Sequence, residues 1–161
     1  MAGGNPLFDA LKAFFEQEGE EFVQLEGQEV LQMRISSPSN SWWLFAAAPA
    51  GTGLVVLQSV VGLATPNEKL PQMAELLHRL NFGMPVAKFE LDYSDGEVRC
   101  TTGADLVGVA DARNAIRNLA RVNRRTMTQI LPALFALILE DVTVEGALAI
   151  AKGSGSASAP R

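Results

Sequence analysis

The segment from residue 86 to residue 102, VAKFELDYSDGEVRCTT, constrains the fold more than any other, because it predicts its own pairing. Asp95 and Gly96 favour a tight two-residue turn, since glycine tolerates positive φ and aspartate tolerates it better than most residues. With these two residues at the tip, Leu91 lies opposite Cys100. The sequence therefore predicts a β-hairpin in this register.

The two faces of this hairpin differ in polarity. Alternating apolar and polar side chains indicate strands with one face against a core and one face in water. The apolar face carries Phe89, Leu91, Tyr93, Val98 and Cys100, and the polar face carries Lys88, Glu90, Asp92, Glu97, Arg99 and Thr101.

Length and charge exclude several classes of protein. The chain has 161 residues, enough for one domain, which we expect over residues 1–152. The small polar residues 153–161 are predicted to form a disordered tail. A net charge of −5 argues against nucleic acid as a partner. The sequence shows no secretory signal and no apolar run of about 20 residues, so we expect a cytoplasmic protein without membrane insertion.

The order of predicted elements gives the fold class. Periodic apolar residues predict a first helix from Pro6, three strands at 29–35, 41–48 and 54–62, a helix after residue 65, the hairpin, and a long helix over 111–138. Pro132 should kink or split the long helix. Residues 103–110 fit no element, and 144–151 fit a last helical turn or two. This α-β-β-β-α-β-β-α order predicts an α+β fold, in which a three-strand meander and the hairpin form an antiparallel sheet packed with helices.

The sequence contains almost no combination of residues that is typical of a catalytic or metal-binding site. The one histidine, His78, has no second ligand at metal-site spacing, and no nucleophile elbow or phosphate-binding loop is present. The one cysteine, Cys100, is interpreted as a small buried hydrophobe. We therefore expect no enzyme activity, no cofactor and no metal site.

Five arginines form a basic stripe on the long helix of an otherwise acidic protein. Two interpretations remain open. The stripe could steer an acidic partner, or it could be solvated and paired with the protein's own acids, for example the six glutamates of residues 16–29. That acidic stretch lacks the ligand pattern of a calcium loop, which favours a solvated connector. The arginines are Arg113, Arg117, Arg121, Arg124 and Arg125.

Adjacent tryptophans on a predicted strand suggest that the sheet has two covered faces. Trp42 and Trp43 must point to opposite sides, and the next strand is also apolar on both sides. A subunit or a bound polypeptide would cover the second face, unless helices of the same chain pack on both. We expect Trp42, Trp43, Val55 and Leu57, together with the five arginines, to contact a partner or a second subunit.

Three short motifs lie around the hairpin: Leu80-Asn81-Phe82, Phe89-Glu90-Leu91-Asp92 and Asp95-Gly96-Glu97-Val98-Arg99. The long helix adds Asn123, Thr126-Met127 and Pro132. The three motifs resemble the central motif of the bacterial YbjN family, and the helix residues resemble its terminal helix. The resemblance implies a domain like those of type III secretion chaperones, which are dimers that hold extended client segments. It carries over no catalytic residues.

Together these observations predict a non-enzymatic binding domain, a homodimer that acts as a chaperone-like or regulatory adaptor for another protein through an apolar sheet face. The alternative is a small-ligand sensor with a pocket between the sheet and the long helix.

Overall fold

The computed structural model describes residues 4–156, in which helices pack on one face of a six-stranded antiparallel sheet. Three of the helices contact the sheet, and the last one packs on two of the others. The helices are α1 (Pro6–Gln17), α2 (Leu70–Asn81), α3 (Ala112–Leu139) and α4 (Val144–Ser156), and a 3-10 turn, Asn67–Lys69, precedes α2. The strands are β1 (Phe22–Gln24), β2 (Val30–Ser36), β3 (Ser41–Ala47), β4 (Leu54–Val60), β5 (Ala87–Leu91) and β6 (Val98–Asp105).

The strand order in the sheet is β1-β2-β3-β4-β6-β5, with every neighbouring pair antiparallel. The hairpin of β5 and β6 thus continues the β2-β3-β4 meander through β6, as the α+β prediction required. Two elements extend the predicted order. The three-residue strand β1 lies within the glutamate-rich stretch, and α4 is longer than the turn or two that its sequence indicated.

The predicted register of the hairpin is wrong by two residues. Leu91 pairs with Val98 instead of Cys100, and the turn spans four residues, closed by an Asp92 N–H to Glu97 carbonyl bond of 2.8 Å. The Asp92 carboxylate accepts the backbone N–H of Ser94 at 2.8 Å and its hydroxyl at 2.6 Å, which stabilises this wider turn.

The predicted division of the hairpin strands into an apolar and a polar face is not affected by this error, because a shift of two residues leaves every side chain on its side of the sheet. Phe89, Val98 and Cys100 are buried against the helices. Tyr93, however, lies in the turn and is exposed rather than on the inner face. Gly96 in the same turn has a φ of 76°, and a Cβ there would lie 2.2 Å from the Thr65 carbonyl oxygen, so the turn requires glycine.

Side-chain caps begin two of the helices. The Asn5 side chain accepts the backbone N–H groups of Leu7 and Phe8, and Asp111 accepts that of Asn114 at 2.9 Å. No side-chain cap begins α2. The 3-10 turn leads into it at Leu70.

Several further boundaries differ from expectation. Helix α3 runs without a break through Pro132, so the proline does not split it. Residues 103–105 complete β6, and turns connect them to α3. Helix α4 extends to Ser156, four residues into the predicted tail, and residues 157–161 lie outside the described part of the chain.

The motif residue Asn81 protects the free edge of β5. At the end of α2, its amide accepts the N–H of Phe89 at 2.7 Å and donates to the carbonyl of the same residue at 2.8 Å. These two bonds imitate a neighbouring strand at the point where the sheet ends. The edge is therefore blocked against pairing with another chain at its centre.

A buried amide fixes α3 on the sheet. Asn123 is 1% exposed, and its Nδ2 donates to the carbonyl oxygens of Leu57 on β4 and Cys100 on β6, at 3.2 Å each. Its Oδ1 accepts the hydroxyl of Ser59 at 2.5 Å. Because buried polar groups are costly when they lack partners, these bonds define one position of α3 over β4 and β6.

We expect Asn123→Ala to lower the free energy of unfolding by about 2–4 kcal/mol, since it creates a cavity and leaves the Ser59 hydroxyl without its acceptor. Urea denaturation measures the change. Asn118→Ala, on an exposed position of the same helix, is the matched control and should change stability by less than about 0.5 kcal/mol. Equal losses in the two variants would contradict the assigned role of Asn123.

Candidate functional site

The outer face of the sheet, on the side away from the helices, carries a band of mostly apolar side chains, in which Gln32 and Gln58 flank Phe45. In the described part of the chain no helix packs on it. Trp43 pairs with Val60, and Ala47 with Val56, so β3 and β4 form the centre of the band. We call it the outer stripe, and it consists of Val30, Trp43, Phe45, Ala47, Leu54, Val56 and Val60.

The two adjacent tryptophans are divided between the two faces, as strand geometry requires. Trp42 lies in the core and is 2% exposed, whereas Trp43 belongs to the outer stripe and is 41% exposed. The guanidinium of Arg34 lies 5.5 Å from the centroid of the Trp43 ring and also donates to the Ser41 hydroxyl. This cation–π contact orients the exposed indole.

Val55 and Leu57 do not belong to the outer stripe. Both are 0% exposed and face the helices together with Trp42. The outward positions of β4 are the alternate ones, Leu54 and Val56. The three inward side chains are therefore closed to a partner in this fold, because helices already cover them.

A charged cluster on the outer face of the hairpin borders the outer stripe. The Glu90 carboxylate accepts the Thr101 hydroxyl at 2.6 Å and lies 3.2 Å from the Lys88 ammonium and 3.0 Å from Arg99 Nε. Partial burial alone would raise the pKa of Glu90, but these three partners lower it overall. The apolar band thus ends at a polar margin.

A pocket of about 450 Å³ lies on the opposite side of the sheet, between the end of α1, strands β2 and β3, and helix α3. Its deep part is apolar, and its mouth is charged. The apolar lining is Phe14, Phe15, Ile35, Trp42, Leu44 and Ala120, and the polar lining is Glu18, Glu20, Arg117, Arg121, Asn123, Arg124 and Arg125.

Four of the five predicted arginines meet at this mouth, and Arg113 does not. Arg124 forms an ion pair with Glu20, so self-pairing within the chain holds for one of them. Arg121 donates to the Asn118 side chain at 3.4 Å. No carboxylate of the described residues lies within ion-pair distance of Arg117 or Arg125, and both are exposed.

The indole of Trp42 brings a polar group to the lining of the pocket. Its Nε1–H is buried, and the described residues offer it no acceptor. The sequence predicts the strand that carries this tryptophan, but not the face of the strand on which it lies. It also contains no local pattern showing that α1 and Glu20 close the third side of the pocket.

The titratable side chains of the described residues provide few candidates for catalysis or metal binding. Burial, aided by the negative charge of Glu90, raises the pKa of the Cys100 thiol to about 12, so the thiol stays protonated and unreactive. His78 is exposed on α2. Among the described residues no three histidine, cysteine, aspartate or glutamate side chains cluster closely enough to hold a metal ion. No helix formed by residues 4–156 has the length and apolar character needed to cross a bilayer.

Comparison with known proteins places the chain in a family. A family model named YbjN, described as "putative bacterial sensory transduction regulator", matches residues 8–136. The chain belongs to the YbjN family. No curated protein matched the sequence.

Two solved structures resemble this one. The crystal structure of YbjN from E. coli aligns with a TM-score of 0.53 at 11% sequence identity, covering 98% of this chain and 95% of that one, which shows a shared fold. The Yersinia pestis type III secretion chaperone SycH, solved in complex with a stable fragment of YscM2, aligns with a TM-score of 0.44 at 17% identity. That alignment covers 73% of this chain and 95% of SycH.

The two tryptophans should respond differently to truncation. We expect Trp42→Ala to destabilise the fold by about 3–5 kcal/mol, because it removes a buried aromatic side chain. Trp43→Ala should cost under about 1 kcal/mol, since its ring is only partly buried. Thermal and urea unfolding of the two variants measure the difference, and similar losses in both would contradict the division between the faces.

Proposed function

We propose that the protein is a non-enzymatic regulatory adaptor of the cytoplasm that binds another polypeptide through the outer stripe and, without that partner, forms a homodimer through the same surface. The observation that carries this proposal is the uncovered outer stripe, in which Trp43 is the most exposed aromatic side chain. Membership of a family described as a sensory transduction regulator supports a regulatory role.

The composition of the outer stripe suits protein binding. Contiguous apolar surface in contact with water is unfavourable, and soluble monomers rarely leave much of it exposed. Tryptophan is enriched among the residues that contribute most to binding energy. Arg34 on one side and the Glu90 cluster on the other supply the polar rim that is typical of interfaces.

The geometry of the sheet favours its face over its edge as the contact. The edge strand β5 is blocked at Phe89 by the Asn81 amide, and the opposite edge strand, β1, has only three residues. Both features weaken pairing of a further strand. A partner that packs side chains onto the outer stripe is therefore the better fit.

A specific observation also favours a second candidate function, the binding of a small ligand as a sensor. The pocket lies between the sheet and α3, and about 450 Å³ is within the range of small-molecule sites, about 300–1,000 Å³. The two functions are compatible, because the pocket and the outer stripe lie on opposite sides of β3.

The proposal predicts a solution mass of twice 17.2 kDa at high protein concentration, with a dissociation constant insensitive to salt, because the contact is apolar. Light scattering over a concentration series at low and high salt measures it. Trp43→Ala should weaken dimerisation by about tenfold or more.

Tyr93→Ala is the matched control, because Tyr93 is an exposed aromatic side chain in the hairpin turn, outside the outer stripe. It should leave the dissociation constant unchanged. A dimer that Trp43→Ala and Tyr93→Ala affect equally would show that its interface lies elsewhere. A dimer that dissociates in high salt would indicate an ionic interface.

A further inference from the structure

We propose that the pocket binds an amphipathic anion, a small molecule with an apolar body and one carboxylate or phosphate head group. This inference rests on the second candidate function and gives its ligand a chemical class.

The deep part of the pocket selects an apolar body. Its side chains are buried aromatic and aliphatic residues from α1, β2 and β3. The amide of Asn123 also lines the pocket, but Ser59 and the carbonyl oxygens of Leu57 and Cys100 already bond it. A sugar or a base in this space would lose hydrogen bonds to water without replacing them, which is costly.

The mouth of the pocket selects a negative head group. It carries four arginines and two glutamates, a net charge of 4 − 2 = +2, in a protein whose net charge is −5. The guanidinium groups of Arg117 and Arg125 have no acidic partner within the described residues. A planar guanidinium matches the paired oxygens of a carboxylate or a phosphate.

The buried Nε1–H of Trp42 is a second observation that indicates a ligand. An unpaired buried donor is unfavourable, and here it belongs to a side chain of the pocket lining. An oxygen of the head group is the acceptor that a ligand of this class would supply. The volume of about 450 Å³ suits a single short acyl chain or an aromatic ring.

Trp42 also provides the means to test the inference. The chain has two tryptophans, so Trp43→Phe leaves Trp42 as the one indole fluorophore, in the lining of the pocket. This variant is titrated below micellar concentrations with four probes that share a decyl or decanoyl chain: decanoate, decyl phosphate, decanol and decylamine.

The inference predicts a saturable change of Trp42 fluorescence with at least one of the two anions, and the tighter of these identifies the head group. Decanol and decylamine should bind about tenfold or more weakly, because they lack the charge that the arginines recognise. Decanol or decylamine binding as tightly as the better anion would overturn the ligand class while leaving ligand binding intact. No saturable change with any of the four would overturn the second candidate function as well.

Two arginine variants in the same background locate the head group. Arg117→Gln removes a charge at the mouth, and Arg113→Gln removes the same charge four residues earlier on α3, at a position outside the pocket. We expect the first to weaken binding of the anion about tenfold and the second to leave it unchanged, with equal melting temperatures. Equal weakening by both would show a diffuse charge effect and overturn the assigned site. None of these titrations depends on the homodimer or on a protein partner.

Discussion

The buried amide of Asn123 is the interaction on which the rest of the arrangement depends. By bonding β4 and β6 at once, it holds α3 across the inner face of the sheet in one position. Two consequences follow. The helices are committed to that face, so the outer stripe remains open, and the exposed side of α3 brings Arg117 and its neighbours to the mouth of the pocket. Both candidate surfaces therefore depend on the position in which α3 packs against the sheet.

Strand β3 connects the two candidate surfaces. Trp42 lines the pocket and Trp43, the next residue, belongs to the outer stripe. A molecule in the pocket would contact the same strand that we propose to bind a partner polypeptide. This arrangement is consistent with the proposed regulatory role. A ligand that changes the packing of Trp42 could alter the position of Trp43 through the backbone of β3 alone.

Local patterns were sufficient to predict much of this structure. Alternation of polarity predicted the strands and the opposite placement of the two tryptophans, and helical periodicity predicted the start of α1 at Pro6. The hairpin register failed because the Asp92 carboxylate stabilises a wider turn than Asp95-Gly96 alone would favour. The pocket was predictable only as a place between sheet and helix. The charge pattern left open that the arginines pair with the glutamates of residues 16–29, but no local pattern shows that Arg124 and Glu20, 104 residues apart, meet at a wall of this pocket.

The central claim is that the outer stripe contacts another polypeptide, and site-specific photo-crosslinking in living cells tests it most directly. A photoreactive phenylalanine analogue placed at position 43 should form a covalent adduct with a protein, and the mass of the adduct distinguishes a second copy of this chain from a different partner. The same analogue at position 93, in the exposed hairpin turn, should form none. Adducts at position 93 as abundant as those at position 43, or none at either, would contradict the account.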